Sequence, residues 1–260
     1  MEFNNILFEL EDNIATITFN RPKVLNAMNM ETALELANAI AACKENEKIK
    51  VIILTGAGDK AFVAGADINE FRNKKPSEIM KFTEAGHSAL RIMETMGKPT
   101  IAAVNGYALG GGVEISMACD VRFASETARF GQPEILLGLI PGWGGTQRLA
   151  RLIGIGRAKE FIISGEQIPA QRAYEMGLVN RIFPAEQLMN EARKFAQKLA
   201  GLPSFAIKMA QYAINYGYDL PLDNANSLEI QCMSQCFSTQ DLEEGVAAFL
   251  EKRKPHFIGK

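Results

Sequence analysis

Apolar positions along the chain fall into short unbroken runs separated by stretches with helical spacing. The segments Ile14-Ala15-Thr16-Ile17-Thr18-Phe19, Val51-Ile52-Ile53-Leu54-Thr55 and Thr100-Ile101-Ala102-Ala103-Val104 are rich in β-branched residues, end in turn residues, and predict strands. Between them, residues 30–43 set Leu34, Ala37, Ile40 and Ala41 on one helical face, and residues 79–96 do the same with Ile79, Phe82, Leu90 and Met93. Strands alternating with helices predict an α/β fold. The strand-like runs recur at intervals of roughly 40–50 residues, which suggests a repeated strand–helix unit without residue-level self-similarity. Beyond Leu202 the pattern turns helical only, with helix formers throughout residues 205–216 and 241–253. The expected division is a core over residues 1–200 and a helical region over 201–260, an appendage or oligomerisation element. No low-complexity linker divides the chain.

Composition narrows the classes. At 47% hydrophobic and 22% charged the chain resembles an average soluble globular protein. A formal net charge of −2 lacks the basic surplus of a general nucleic-acid or anionic-membrane binder. No apolar run approaches the roughly 20 residues of a bilayer span, and the start MEFNNILFELED has early acids rather than the order of a signal or transit peptide. A cytoplasmic protein is the expectation. Four scattered cysteines make no disulfide framework, and Cys232 with Cys236 lacks the second ligand pair of a zinc site. The two histidines, His87 and His256, have no suggestive neighbours. Acid–base chemistry is therefore expected from carboxylates, with no metal site.

One glycine-rich segment invites a different reading. Gly56-Ala57-Gly58-Asp59-Lys60-Ala61 follows a strand and fits a loose dinucleotide fingerprint, as in a nicotinamide-dependent oxidoreductase. The context argues against it: no amphipathic helix opens at Phe62, and no strand ending in an acid lies about 20 residues on. A surface turn is the better reading.

Three other segments combine small residues with acids. In Asn105-Gly106-Tyr107-Ala108-Leu109-Gly110-Gly111-Gly112-Val113-Glu114, glycines lead into a segment suited to a buried helix over residues 113–119. Glycine before a helix lets another group approach backbone N–H groups that have no internal partner, which suits a negatively charged oxygen. Glu114 falls in the first turn, where the helix dipole favours its ionised form. In Phe130-Gly131-Gln132-Pro133-Glu134, proline at a first helical position would set Glu134 in a first turn too. Further on, Thr146 is expected to cap residues 147–153, with Gly154 closing that helix. The third segment, Ala64-Gly65-Ala66-Asp67-Ile68, exposes backbone in the same way. Taken singly, each reads equally as a packing corner or a helix start.

Together and in this order, followed by Pro141-Gly142-Trp143-Gly144-Gly145-Thr146-Gln147-Arg148, the segments resemble the crotonase (enoyl-CoA hydratase) family, nearest its short-chain bacterial members. The resemblance runs from Asn20-Arg21-Pro22-Lys23 to Phe249-Leu250-Glu251-Lys252-Arg253-Lys254, nearly the whole chain. It implies a spiral of ββα units and a C-terminal helical region used in trimer formation, commonly within a homohexamer built as a dimer of trimers. It also implies an oxyanion hole from the N–H groups of Ala66 and Gly111, and Glu114 and Glu134 as the catalytic pair. For the coenzyme A part of the substrate it points to Lys23, Leu25, Ala64, Ala66, Asp67, Ile68 and Gly111. Phe249 and Lys252 would reach a neighbouring subunit's ligand. No cofactor is implied, because coenzyme A belongs to the acyl thioester substrate.

The chain departs from the family pattern at two places. Asn69 stands where many hydratases carry lysine, which puts a phosphate contact there in doubt. Trp143, the single tryptophan, stands where many relatives carry a small residue, and its bulk suits a short acyl pocket as well as a packing or interface role. The retained pair of glutamates favours hydration of a short-chain trans-2-enoyl thioester. An enoyl-CoA isomerase or bifunctional hydratase–isomerase is the nearer alternative, and an RNA-binding relative the more distant one.

Overall fold

The computed structural model describes residues 3–260. The chain opens with an antiparallel pair, β1 (Ile6–Glu11) and β2 (Ile14–Phe19), and then α1 (Met30–Glu45). Three units follow, each placing one strand in a large sheet and the next in a small one. They are β3 (Val51–Gly56), β4 (Ala61–Ala64) and α2 (Pro76–Thr95); β5 (Thr100–Val104), β6 (Tyr107–Leu109) and α3 (Gly111–Ala118); and β7 (Val121–Ser125), β8 (Arg129–Gly131) and a 3-10 turn at Pro133–Leu137. This is the expected ββα spiral. Its units are uneven, the closing helix shrinking from 20 residues in α2 to 8 in α3, which is why the sequence shows no regular period.

The remaining elements are α4 (Gly145–Ile153), α5 (Ile155–Ser164), β9 (Gln167–Pro169), α6 (Ala170–Glu175), β10 (Arg181–Phe183), α7 (Leu188–Ala200), α8 (Ser204–Gly217), α9 (Leu222–Cys236) and α10 (Gln240–Leu250). The large sheet has the order β1-β2-β3-β5-β7-β10 and is parallel from β2 onward. The small sheet runs β4-β6-β8-β9, with the first three strands parallel. Strands β3 and β5 are buried along their whole length, as expected for parallel strands covered on both faces, and this explains their unbroken apolar sequence. No described helix is long and apolar enough to cross a membrane.

Two local expectations change. In α1 the buried face is Ala33, Leu36, Ala39, Ile40 and Cys43, whereas Leu34 is half exposed. Both faces of α1 carry apolar residues, and the face that is buried packs in part on α2. At α4, Thr146 is not the cap. The helix starts at Gly145, with Gly144 at a positive φ of 96° as N-cap, and the Gly145 N–H is taken by a carboxylate from elsewhere in the chain. The segment 56–61 leads directly from β3 into β4, and no helix opens behind it.

Candidate active site

The register of the small sheet brings the three unusual sequence segments to one edge. Ala64 on β4 lies opposite Leu109 on β6, and Leu109 lies opposite Gly131 on β8. Because these strands are parallel, Gly65-Ala66, Gly110-Gly111 and Gln132-Pro133-Glu134 leave the same ends of three adjacent strands. Clefts outside the carboxyl ends of parallel strands are the usual binding place in such sheets. Here they open on a cavity of about 570 Å³ lined by Ala66, Gly111, Glu114 and Glu134, with an apolar wall that includes Phe71, Phe82 and Trp143.

Gly112 fixes how α3 sits at this edge. A Cβ there would overlap the Val63 carbonyl oxygen, so only glycine lets the helix start this close to β4. Gly110 has φ 50° and ψ −118°, a conformation open to glycine, and its Cα faces the Glu134 carboxylate. Among the described residues, the Ala66 and Gly111 N–H groups take no part in the backbone bonds that tie these loops together. Those bonds run from Met28 N–H to the Gly65 carbonyl and from Gly110 N–H to the Gly131 carbonyl. Two cavity-lining amides are left with donor capacity.

Glu114 is 2% exposed, and its Oε1 accepts from the backbone N–H groups of Trp143 (2.7 Å) and Gly145 (2.6 Å). The amino end of α4 is therefore capped by a side chain of α3, and one carboxylate oxygen is committed to holding Glu114 still. Burial pushes this carboxyl up to about 7, and the negative charge of Glu134 adds to the rise; the two amides and Arg148 pull the other way without cancelling it. This reverses the expectation from the helix dipole. A first-turn position is worth up to about 2 kcal/mol, while burial of a charge costs more. Glu134, half-buried in the 3-10 turn, is also raised by burial. The pair thus sits where one proton is readily held and readily given up.

Gln132, one residue of the Gly-Gln-Pro-Glu segment, had no assigned role. It is fully buried, and with its amide turned to donate it lies 3.0 and 3.1 Å from the Glu134 carboxylate oxygens. Its neighbours in sequence give no sign of this, because its side chain is covered in part by Gly145 on α4.

The other expected positions divide into two groups. Lys23 lies on the 3-10 turn Pro22–Val24, and the carbonyl of Leu25 accepts from Ala64 N–H at the end of β4. Ile68 is exposed at the cavity mouth. The Asp67 side chain is occupied by Arg21 (3.1 Å) and by Asn69, whose side-chain and backbone N–H groups turn back to it. Phe249 and Lys252, at the end of α10, are not brought to this cavity within one chain.

The structure is thus a spiral of two largely parallel sheets with two carboxyls and two amides lining one cavity at a strand edge. The family profile described as enoyl-CoA hydratase/isomerase matches residues 9–260, and the chain belongs to that family. It is 46% identical to the short-chain-enoyl-CoA hydratase of Clostridium acetobutylicum, over 98% of this chain and 97% of that one. It is 45% identical to the crotonyl-CoA hydratase of Syntrophomonas wolfei over the full length of both. Among solved structures, an enoyl-CoA hydratase from Bacillus anthracis superposes with a TM-score of 0.96 at 40% identity, covering 99% of this chain and 100% of that one.

Proposed function

We propose that the protein catalyses the reversible hydration of short-chain trans-2-enoyl-CoA thioesters to 3-hydroxyacyl-CoA. The observation that carries this reading is the convergence of one buried and one half-buried carboxyl and two uncommitted amides on one apolar cavity. In the hydration direction, Glu114 accepts a proton from water as the water oxygen bonds to Cβ. The π electrons move toward the thioester, and negative charge builds on its oxygen, where the Ala66 and Gly111 N–H groups receive it. Glu134, protonated at the outset, then gives its proton to Cα, and the proton taken up by Glu114 is passed back to Glu134 to restore the pair for the next turnover. Glu114 suits the water-activating role because only its Oε1 is committed to amides. Such amide pairs contribute most where they meet charge that grows in the transition state. These steps use only the groups named, with coenzyme A as part of the substrate.

Of the five positions expected for the coenzyme A portion, Ala64 and Ile68 line the cavity, and Lys23, Leu25 and Asp67 would complete its binding from adjoining loops. The helices beyond Ala200 leave Leu222, Ile230, Phe237, Phe249 and Leu250 mostly exposed in the single chain. Patches of this kind mark association surfaces, and they support a homo-oligomer in which α10 brings Phe249 and Lys252 toward a neighbour's substrate.

Trp143 would set the acyl length. It is 3% exposed, its ring faces Gly111, and it packs on Phe82 at 5.1 Å between centroids. A Cβ on Gly86 of α2 would collide with the indole, so that glycine makes the notch in which the ring rests. The test is loss of enoyl thioester ultraviolet absorbance across a series from four to sixteen acyl carbons. Wild-type kcat/KM should be highest for the four-carbon substrate, and Trp143→Ala should shift the preference toward longer chains on the order of tenfold or more. No hydration of any chain length overturns the proposed activity; an unchanged length profile in Trp143→Ala removes that residue from the role.

A further inference from the structure

Glu114 is held by the loop Pro141-Gly142-Trp143-Gly144-Gly145, in which three of five residues are glycine. Gly144 sits at φ 96°, so the peptide units on either side of it have little intrinsic preference for the orientation they adopt. The Trp143 N–H points to Glu114, while its carbonyl oxygen accepts a hydrogen bond from Arg148 Nη1 at 2.7 Å. Arg148 stands on α4, one turn beyond Gly144, and its own backbone N–H bonds the Gly144 carbonyl. The other edge of its guanidinium donates to both oxygens of Glu94 on α2, at 2.5 Å from Nε and 2.8 Å from Nη2. Glu94 is itself tied to α8, since Asn215 Nδ2 donates to its backbone carbonyl at 2.7 Å.

From this geometry we propose that Arg148 is a positioning residue for the hydration step, anchored by Glu94, and that it keeps the Trp143 and Gly145 amides on Glu114. The inference rests on the reading of Glu114 as the group that activates water. A planar, bidentate guanidinium suits the task, because two of its donors fix its orientation while a third is aimed at one carbonyl. Without the brace the Trp143 peptide can rotate, and the carboxylate it holds moves with it. Displacements of about 1 Å at a reacting group cost up to about 100-fold in rate. Arg148 touches no reacting atom and does not line the cavity, so substrate binding should be spared.

The single tryptophan allows the loop to be watched directly. Arg148→Met is expected to lower kcat by about 10- to 100-fold while KM changes by less than about threefold, the pattern of a lost transition-state arrangement. Acrylamide quenching of Trp143 fluorescence should increase in the same variant, measured on protein shown by circular dichroism to be folded. Arg148→Lys keeps one donor but loses the fork and should fall between the two. Glu94→Gln, which leaves Arg148 in place without its ionic anchor, should show the same split to a smaller extent, and it serves if Arg148→Met does not fold. Unchanged kcat in folded Arg148→Met, or in both milder variants, overturns the proposal, as does unchanged quenching. Should the wild-type enzyme hydrate no enoyl thioester, the activity reading fails while the quenching comparison still decides whether Arg148 braces the loop.

Discussion

Glu114→Gln is expected to lose at least about 100-fold in hydration of crotonyl-CoA and, above neutral pH, to be more stable than the wild type. Glutamine keeps an oxygen for the Trp143 and Gly145 amides but cannot take a proton from water. The stability gain follows from the carboxyl being raised from 4.5 to about 7 by burial. Between those values the folded protein holds a proton that the unfolded chain has released, so stability falls as pH rises through this window. The full cost is present above about pH 7, and it vanishes below the ordinary carboxylate range. At about 1.36 kcal/mol per unit, the ionised group costs on the order of 3 kcal/mol. For a chain of this size that is roughly 5–10 °C in melting temperature, to be seen at pH 8 and absent at pH 4. Glu134→Gln should lose at least about 100-fold as well, and the double variant should fall little below the worse single one, because the two acids act on one addition. Wild-type turnover in either variant would refute the two-acid scheme; an unaltered melting temperature in Glu114→Gln would refute the buried ionised carboxylate.

What could be read from the sequence depended on how local each feature was. The strands Ile14–Phe19, Val51–Gly56 and Thr100–Val104 were legible because burial on both faces writes an unbroken apolar run. The glycines and the two glutamates stood out because bare backbone and acids are unusual beside buried segments. Their meeting was not legible, since it depends on the pairing of β4, β6 and β8, three strands of only three or four residues each. The same holds for the state of Glu114: its helix position argued for ionisation, whereas the elements that bury it come from distant sequence. Leu34 misled because α1 carries apolar residues on its exposed side as well as its buried one. The helix Leu222–Cys236 left no clear signal, as its sequence is polar with scattered apolar residues. Arg148 and Gln132 meet carboxylate partners 54 residues away and two residues away respectively, and neither spacing belongs to a recognisable local pattern.

The glycine run Gly110-Gly111-Gly112 should tolerate a methyl group at its centre and at neither end. At Gly111 the nearest atoms to an added Cβ are ring carbons of Trp143 at 3.5 and 3.6 Å, ordinary contact distances, and the backbone is already helical. Gly111→Ala should therefore fold with stability within about 1 kcal/mol of wild type, helped by alanine's better helix propensity, and should keep its N–H. At Gly112 the added carbon would enter the Val63 carbonyl, a backbone atom of a buried strand that cannot step aside. Gly112→Ala must push α3 off β4, at a cost of about 3 kcal/mol or more. It is expected to appear as a sharp drop in melting temperature or as insoluble protein. Gly110→Ala meets both a backbone conformation that disfavours side chains, about 1–3 kcal/mol, and the Glu134 carboxylate at 2.6 Å from the new carbon. That carboxylate can move, so Gly110→Ala should fold more readily than Gly112→Ala and yet lose hydration about as severely as Glu134→Gln. Equal melting temperatures for the three variants would mean that α3 does not start against β4, and the alignment of the Gly111 amide with Glu114 and Glu134 would fall with it.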